Sequence, residues 1–299
     1  QLSSTGGVSF FRLNRIDMNE NLTNLRKTVE TILRCDLAQA IGIADKAEAE
    51  AYVQRFLHAI RTDRLDQSAL ARFIDPQWVL LAGGKGTRID PSSRLNKNLD
   101  VWFGEQNILH LSRKYLPGSR PHIIVINPQM AQRVAKTEFL HSKMDSSFSG
   151  RIPDSVLDAE TVDRLFGPNV ILCVQPQPNG TGGALNAALP AIRESDAEFI
   201  GVAFGDEPFL NQAIFLQTLV SHFIAGADVT LCGKAPETVV DKGGLFFNGD
   251  GKFIGTKEWY DMTDDEKAEM WRRLERGEAY TNTGITLIRR EAAIARMDR

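Results

Sequence analysis

From Asp75 onward, short apolar runs alternate with amphipathic stretches, and this alternation narrows the fold more than any other feature of the 299 residues. The runs are WVLLA (78–82), HIIVIN (122–127), VILCVQ (170–175), FIGVAFG (199–205), ADVTLCG (227–233) and GITLIR (284–289). Residues 107–115, 183–193 and 214–225 carry helical patterns between them. A strand that is apolar on both faces leaves no face for water, and intervening helices supply the cover. The pattern therefore predicts an α/β fold with a mostly parallel sheet covered on both sides. Residues 245–255 read differently: Asn248-Gly249-Asp250-Gly251 between two short apolar runs predicts a hairpin. The charged stretch 262–277 predicts an amphipathic helix with a solvated face. Ahead of Asp75 the texture is helical. Leu22, Leu25, Val29, Ile32 and Leu33 form one stripe, and Tyr52, Phe56, Leu57 and Ile60 another. The chain thus divides into a helical N-terminal segment, 1–75, and an α/β domain, 76–299.

Composition excludes several classes. The chain is 42% hydrophobic and 24% charged with a net charge of −3, an ordinary globular balance without a basic field for nucleic acid. Phosphate binding must come from local charge. Cys35, Cys173 and Cys232 lack a CxxC spacing, which argues against a zinc site or a disulfide framework. Cys173 and Cys232 lie in apolar runs and read as small core residues of a protein in a reducing compartment. His58, His110, His122, His141 and His222 form no metal-ligand spacing and read as structural or surface residues. No G-x-S-x-G elbow supports serine hydrolase chemistry. No basic-then-apolar leader pattern and no apolar run of about 18 residues is seen, so a cytoplasmic protein without a membrane partner is expected.

The first strand, WVLLA, runs into Gly83-Gly84-Lys85-Gly86-Thr87-Arg88. Glycines after a strand let backbone N–H groups approach phosphate oxygens. Two common phosphate loops fail here. A P-loop needs G-x-x-x-x-G-K-[ST], but Gly86 follows Lys85 and Val79 stands at the first glycine. A dinucleotide loop needs G-x-G-x-x-G, but Ile89 holds the third position. Lys85, Arg88, Arg94 and Lys97 face one acidic residue, Asp90, over 85–97.

The stretch Leu81-Ala82-Gly83-Gly84-x-Gly86-Thr87-Arg88 resembles the signature of the sugar-phosphate nucleotidyltransferases, in particular the uridylyltransferase half of bacterial N-acetylglucosamine-1-phosphate uridylyltransferases. The resemblance runs through about residues 77–289. It implies a Rossmann-like, three-layer nucleotide-diphospho-sugar transferase fold. It also implies that Leu81, Ala82, Gly83, Gly84, Gly86 and Thr87 wrap a nucleoside triphosphate, and that Arg88 neutralises its β and γ phosphates. Lys97, in RLNKNL, matches a lysine that grips the α phosphate, with Asn96 where the family has proline. Gln175-Pro176-Gln177-Pro178-Asn179-Gly180-Thr181 resembles a Q-x-x-x-x-G-T segment. There Gln175 would read a pyrimidine edge, and Gly180 and Thr181 would contact base and phosphate from a helix N-terminus. Asp206, in GDEP, matches a Mg²⁺ ligand at the carboxyl end of a strand. Glu207 reads as a salt-bridge or surface residue. Gly244, Glu258 and Asn282 match groups that contact the sugar, with a charged helix inserted between the last two.

The resemblance implies a Mg²⁺-dependent nucleotidyltransferase joining a nucleoside triphosphate, UTP favoured, to a sugar 1-phosphate, with thymidine and cytidine nucleotides left open. The sugar and the oligomeric state are not specified. Two alternatives stay open: another phosphorylated acceptor on the same fold, and a catalytically silent nucleotide-binding regulator. A glycosyltransferase would want a D-x-D motif, and Asp206-Glu207-Pro208 is not one. The family's second metal ligand follows the last strand, so the chain is expected to stop short of it.

Overall fold

The computed structural model describes residues 75–84, 96–116, 118–136, 148–177, 179–208, 214, 215, 218, 219, 222, 227–234, 243–247, 253–257, 259–276 and 280–297. The helical stripes expected before Asp75, the loop residues Gly86, Thr87 and Arg88, and Glu258 lie outside this set.

The expected α/β architecture is present as a nine-stranded sheet. Its strands are β1 Gln77–Leu81, β4 His122–Ile126, β5 Gly150–Arg151, β6 Val170–Val174, β7 Phe199–Phe204, β8 Val229–Lys234, β9 Gly244–Phe247, β10 Phe253–Lys257 and β11 Tyr280–Arg289. A separate two-stranded ribbon joins β2 Trp102–Phe103 to β3 Gln106–Asn107. The helices are α1 Lys97–Asp100, α2 Ile108–Arg113, α3 Pro128–Gln132, α4 Ala159–Phe166, α5 Gly180–Glu194, α6 Asp264–Glu275 and α7 Arg290–Met297. Strand order is β10-β9-β11-β7-β1-β4-β6-β5, with β8 also on β11.

The centre of the sheet, β7-β1-β4-β6, is parallel, and the flanks are antiparallel. GITLIR, expected as a member of the sheet, therefore runs antiparallel to β7, and ADVTLCG pairs antiparallel with it. The hairpin expected over 245–255 is the antiparallel pair β9–β10.

Period-2 alternation sorts the central strands onto two cores. Val79, Ile123, Val125, Cys173, Ile200 and Val202 face the small side chains Ala184, Ala187, Ala188 and Ala191 of α5. Trp78, Leu80, Ile124, Ile126, Leu172 and Val174 face the opposite way, into a cluster with Leu99, Leu109, Met130, Leu165 and Phe166 from the other helices. That gives three layers. Each fully buried aliphatic side chain contributes about 1.5–3 kcal/mol. Trp78 is paired in register with Gly201, and a Cβ there would meet the indole at 2.5 Å.

Candidate active site

Four adjacent parallel strands end along one edge, where ligands bind in open α/β sheets. Past β1 come Ala82, Gly83 and Gly84; past β4, Asn127; past β6, Gln175; past β7, Gly205 and Asp206. Backbone hydrogen bonds fix these ends: the Ala82 N–H donates to the Val125 carbonyl, Gln175 N–H to Ile126 and Gly205 N–H to Leu81, at 2.9–3.0 Å.

The glycine loop is held by two asparagines. The buried Asn98 donates from Nδ2 to the Ala82 carbonyl at 3.1 Å. Asn127 caps α3 by accepting from the Met130 N–H at 2.9 Å, and its Nδ2 donates to the Gly83 carbonyl at 3.3 Å. A Cβ on Gly83 would lie 3.3 Å from the Ile126 carbonyl carbon and 3.6 Å from Gln175 Oε1. The glycine therefore keeps the loop close to both neighbouring strand ends.

Lys97 opens α1, whose N-cap Asn96 accepts from the Asn98 N–H at 3.0 Å. From there the Lys97 ammonium donates to Asp206 Oδ2. Two groups 109 residues apart in sequence are thus joined at the carboxyl edge, both only partly exposed. Asp100 steadies α1 by accepting from the Asn96 N–H at 2.7 Å and from Arg133 at 2.8 Å.

Gln175 is tied down at the start of α5. Its Nε2 donates to Asn179 Oδ1 at 2.7 Å and to the Gly180 carbonyl at 3.2 Å. Gly180 has φ +87°, and Gly180 and Thr181 are exposed at the helix N-terminus. Its first N–H groups carry no side-chain cap from Asn179. An uncapped N-terminus of a 15-residue helix leaves donors for an anion.

No protein-family model matches the chain. Among curated proteins the chain is similar to the bifunctional protein GlmU of Mycolicibacterium gilvum, 27% identical over 195 residues that cover 65% of this chain and 34% of the relative. It is similar to the GlmU of Clavibacter sepedonicus, 27% identical over 69% of this chain and 36% of the relative, and to that of Symbiobacterium thermophilum, 25% identical over 74% and 39%. These similarities support the nucleotidyltransferase resemblance that the strand-end motifs carry. The chain spans about a third of the length of the curated relatives it matches. A solved 4-diphosphocytidyl-2C-methyl-D-erythritol synthase from Anaerococcus prevotii aligns over 77% of this chain and 76% of its own, with TM-score 0.40 and 11% identity.

Of the positions that the nucleotidyltransferase motifs single out, Leu81, Ala82, Gly83, Gly84, Lys97, Gln175, Gly180, Thr181 and Asp206 stand on β1, α1, α5 or the loops at this edge. Asn282 lies on β11, where its Oδ1 accepts from the Gly284 N–H at 2.9 Å. Gly284 has φ +79° and packs on Phe204, the last residue of β7, which ties this bend to the strand carrying Asp206. Gly244 sits inside the sheet, in register with Thr281 and Lys257, and is backed by Met262 and Met270. The helix expected over 262–277 is α6. It closes over β9, and Thr263 and Glu266 form a reciprocal cap at its start. Sequence reasoning missed Asn98, Asn127 and Asn179. Asn127 before Pro128 carried a helix-start signal, but nothing local pointed to its bond with Gly83.

Burial pushes the Cys173 thiol up to about 12, so it is no nucleophile. Burial, aided by the Arg113 charge, pushes His122 down to about 3, and burial also lowers His110 and His222. These histidines are neutral near pH 7. Among the described residues no three His, Cys, Asp or Glu side chains gather to hold a metal. Asp206 alone still suits Mg²⁺. Its carboxylate already accepts a cation, the Lys97 ammonium, and Mg²⁺ takes one or two carboxylates while phosphate oxygens and water complete its shell. No helix among the described residues is long and apolar enough to cross a membrane.

Proposed function

We propose that the chain transfers a nucleotidyl group from a nucleoside triphosphate, UTP favoured, to a sugar 1-phosphate, releasing pyrophosphate. The observation that carries this reading is the convergence of an ammonium, a carboxylate, a glycine loop and an uncapped helix N-terminus on one sheet edge. A phosphate oxygen of the sugar phosphate forms the new bond to the α phosphorus, and the bond to the β-phosphate oxygen breaks. The attacking phosphate is already ionised, so no general base is required. The work left to the protein is orientation and charge neutralisation. Asp206 would hold Mg²⁺, which would supply Lewis-acid screening of the phosphate oxygens. Lys97 steadies the α phosphate, Arg88 screens the leaving pyrophosphate, and Gly83, Gly84, Gly86 and Thr87 wrap the triphosphate. Gly244, Glu258 and Asn282 contact the sugar.

Pyrophosphate release, with each nucleoside triphosphate crossed against a panel of sugar 1-phosphates in the presence and absence of Mg²⁺, tests this. Release that needs both substrates and Mg²⁺ is expected, with UTP the best donor. Nucleotide binding without release under any pairing would make the edge a nucleotide sensor.

A further inference from the structure

Asn179 stands at the N-cap of α5, yet its side chain caps nothing. Its Oδ1 accepts from Gln175 instead. Two features make room for that. Gly180 turns the chain with φ +87°. Gly183 carries no side chain, and a Cβ there would fall 1.6 Å from Asn179 Oδ1. The carboxamide of Asn179 therefore lies over the first turn of the helix in space that any other residue at 183 would fill.

The consequence for Gln175 follows from donor counting. A primary amide has two N–H donors and one carbonyl acceptor. The Gly180 carbonyl can only accept, so the group facing it is Nε2. The second N–H goes to Asn179 Oδ1. Both donors are spent, and what Gln175 still offers is Oε1. That oxygen lies beside Gly83, at the phosphate loop. A fixed acceptor suits a base edge that donates. Uracil and thymine carry an N–H at ring position 3, whereas cytosine has a lone pair there and donates only from its exocyclic amine.

We infer that Asn179, given its place by Gly183, is the positioning residue that locks Gln175 as an acceptor and so sets selection of an imide base over cytosine. The inference rests on the proposed nucleotidyltransferase reading. Without Asn179 only the longer bond to the Gly180 carbonyl, 3.2 Å against 2.7 Å, holds the Gln175 amide against the flip that would suit cytosine. A site built to bond one edge rejects the base that leaves its group unpaired.

The test is equilibrium binding of UTP and CTP to the chain and to three variants, N179L, N179D and G183A, with thermal melts to confirm folding. N179L removes the acceptor, N179D keeps it, and G183A crowds it out. The wild type is expected to prefer UTP. N179L and G183A should lower the UTP-to-CTP preference about tenfold, the weight of roughly one hydrogen bond. N179D should keep the preference, even where its added charge weakens both nucleotides. A general loosening of the loop would weaken both nucleotides in step and leave the ratio unmoved. An unchanged ratio in a folded N179L, or equal binding of UTP and CTP by the wild type, overturns the inference while the nucleotidyltransferase reading stands. Absence of binding by any nucleotide overturns both.

Discussion

Asp206 and Lys97 hold each other, so each variant at this pair has two readouts. Asp206→Ala removes the carboxylate that accepts from the Lys97 ammonium. Turnover should fall by several orders of magnitude, on the order of several kcal/mol of transition-state stabilisation. Pyrophosphate release by Asp206→Ala close to the wild-type rate would sink its role as metal holder. Lys97→Met should also slow turnover, because the α phosphate loses its cation. It should have the opposite effect on metal binding in the absence of nucleotide. The ammonium then no longer competes for Asp206, and Mn²⁺ titrated without nucleotide should bind up to about fivefold tighter, the scale of a partly exposed ion pair. Weaker Mn²⁺ binding by Lys97→Met would show that the lysine does not compete for that carboxylate.

β11 must bend, because its second half pairs with β7 and β8 while its first half pairs with β8 and β9. The register shift between Asn282 and Thr286 marks the bend. Gly284 makes it possible with φ +79°, and a Cβ there would lie 2.1 Å from the Phe204 ring. Gly284→Ala should therefore cost about 1–3 kcal/mol for the backbone alone, with more for the ring that must move. A lower urea midpoint with unchanged slope is the expected result, and an unchanged midpoint would refute the close packing. This bend also marks the limit of what the sequence made legible. All six apolar runs became strands, and for β1, β4, β6 and β7 continuous burial on two faces is the local signal. GITLIR grew backward to Tyr280 because Tyr280, Thr281 and Asn282 find partners on β8 and β9 and Thr283 donates from its hydroxyl to the Cys232 carbonyl, which local polarity does not announce. The two-residue strands β2, β3 and β5 exist only through their pairing. The same holds in the site. Motif residues at strand ends could be read off the chain. Asn98 and Asn127 could not, because their partners are loop carbonyls 16 and 44 residues away.

The fold carries its acid sensitivity at a distance from the candidate site, where helix α2 is pinned to the sheet. Arg113 reaches from α2 to the Pro168 carbonyl at 2.9 Å and to the Phe166 carbonyl, and its Nε donates to His122 Nδ1 at 3.2 Å. Burial pushes the Arg113 guanidinium down to about 10, so it stays charged near pH 7. A guanidinium has no acceptor, so His122 must keep a lone pair on Nδ1. Burial, joined by the repulsion that protonation would set up with the Arg113 cation, accounts for its depression from 6.5 to about 3. The unfolded chain binds the proton in that interval and the folded chain does not. The contribution of His122 to stability is therefore fully present above pH 6.5 and is lost progressively as pH falls toward about 3. His110 and His222, also lowered by burial, act in the same direction. Each such group adds a slope of at most about 1.4 kcal/mol per pH unit. The urea midpoint should thus fall between pH 7 and pH 4, as carboxylates that gain from ion pairs add their own loss at the acid end. His122→Gln separates the two sources, since glutamine presents an acceptor to Arg113 without titrating. Its midpoint should fall less steeply than that of the wild type across pH 6.5 to 4.5. Parallel curves would place the acid sensitivity elsewhere and leave the Arg113–His122 bond a packing contact.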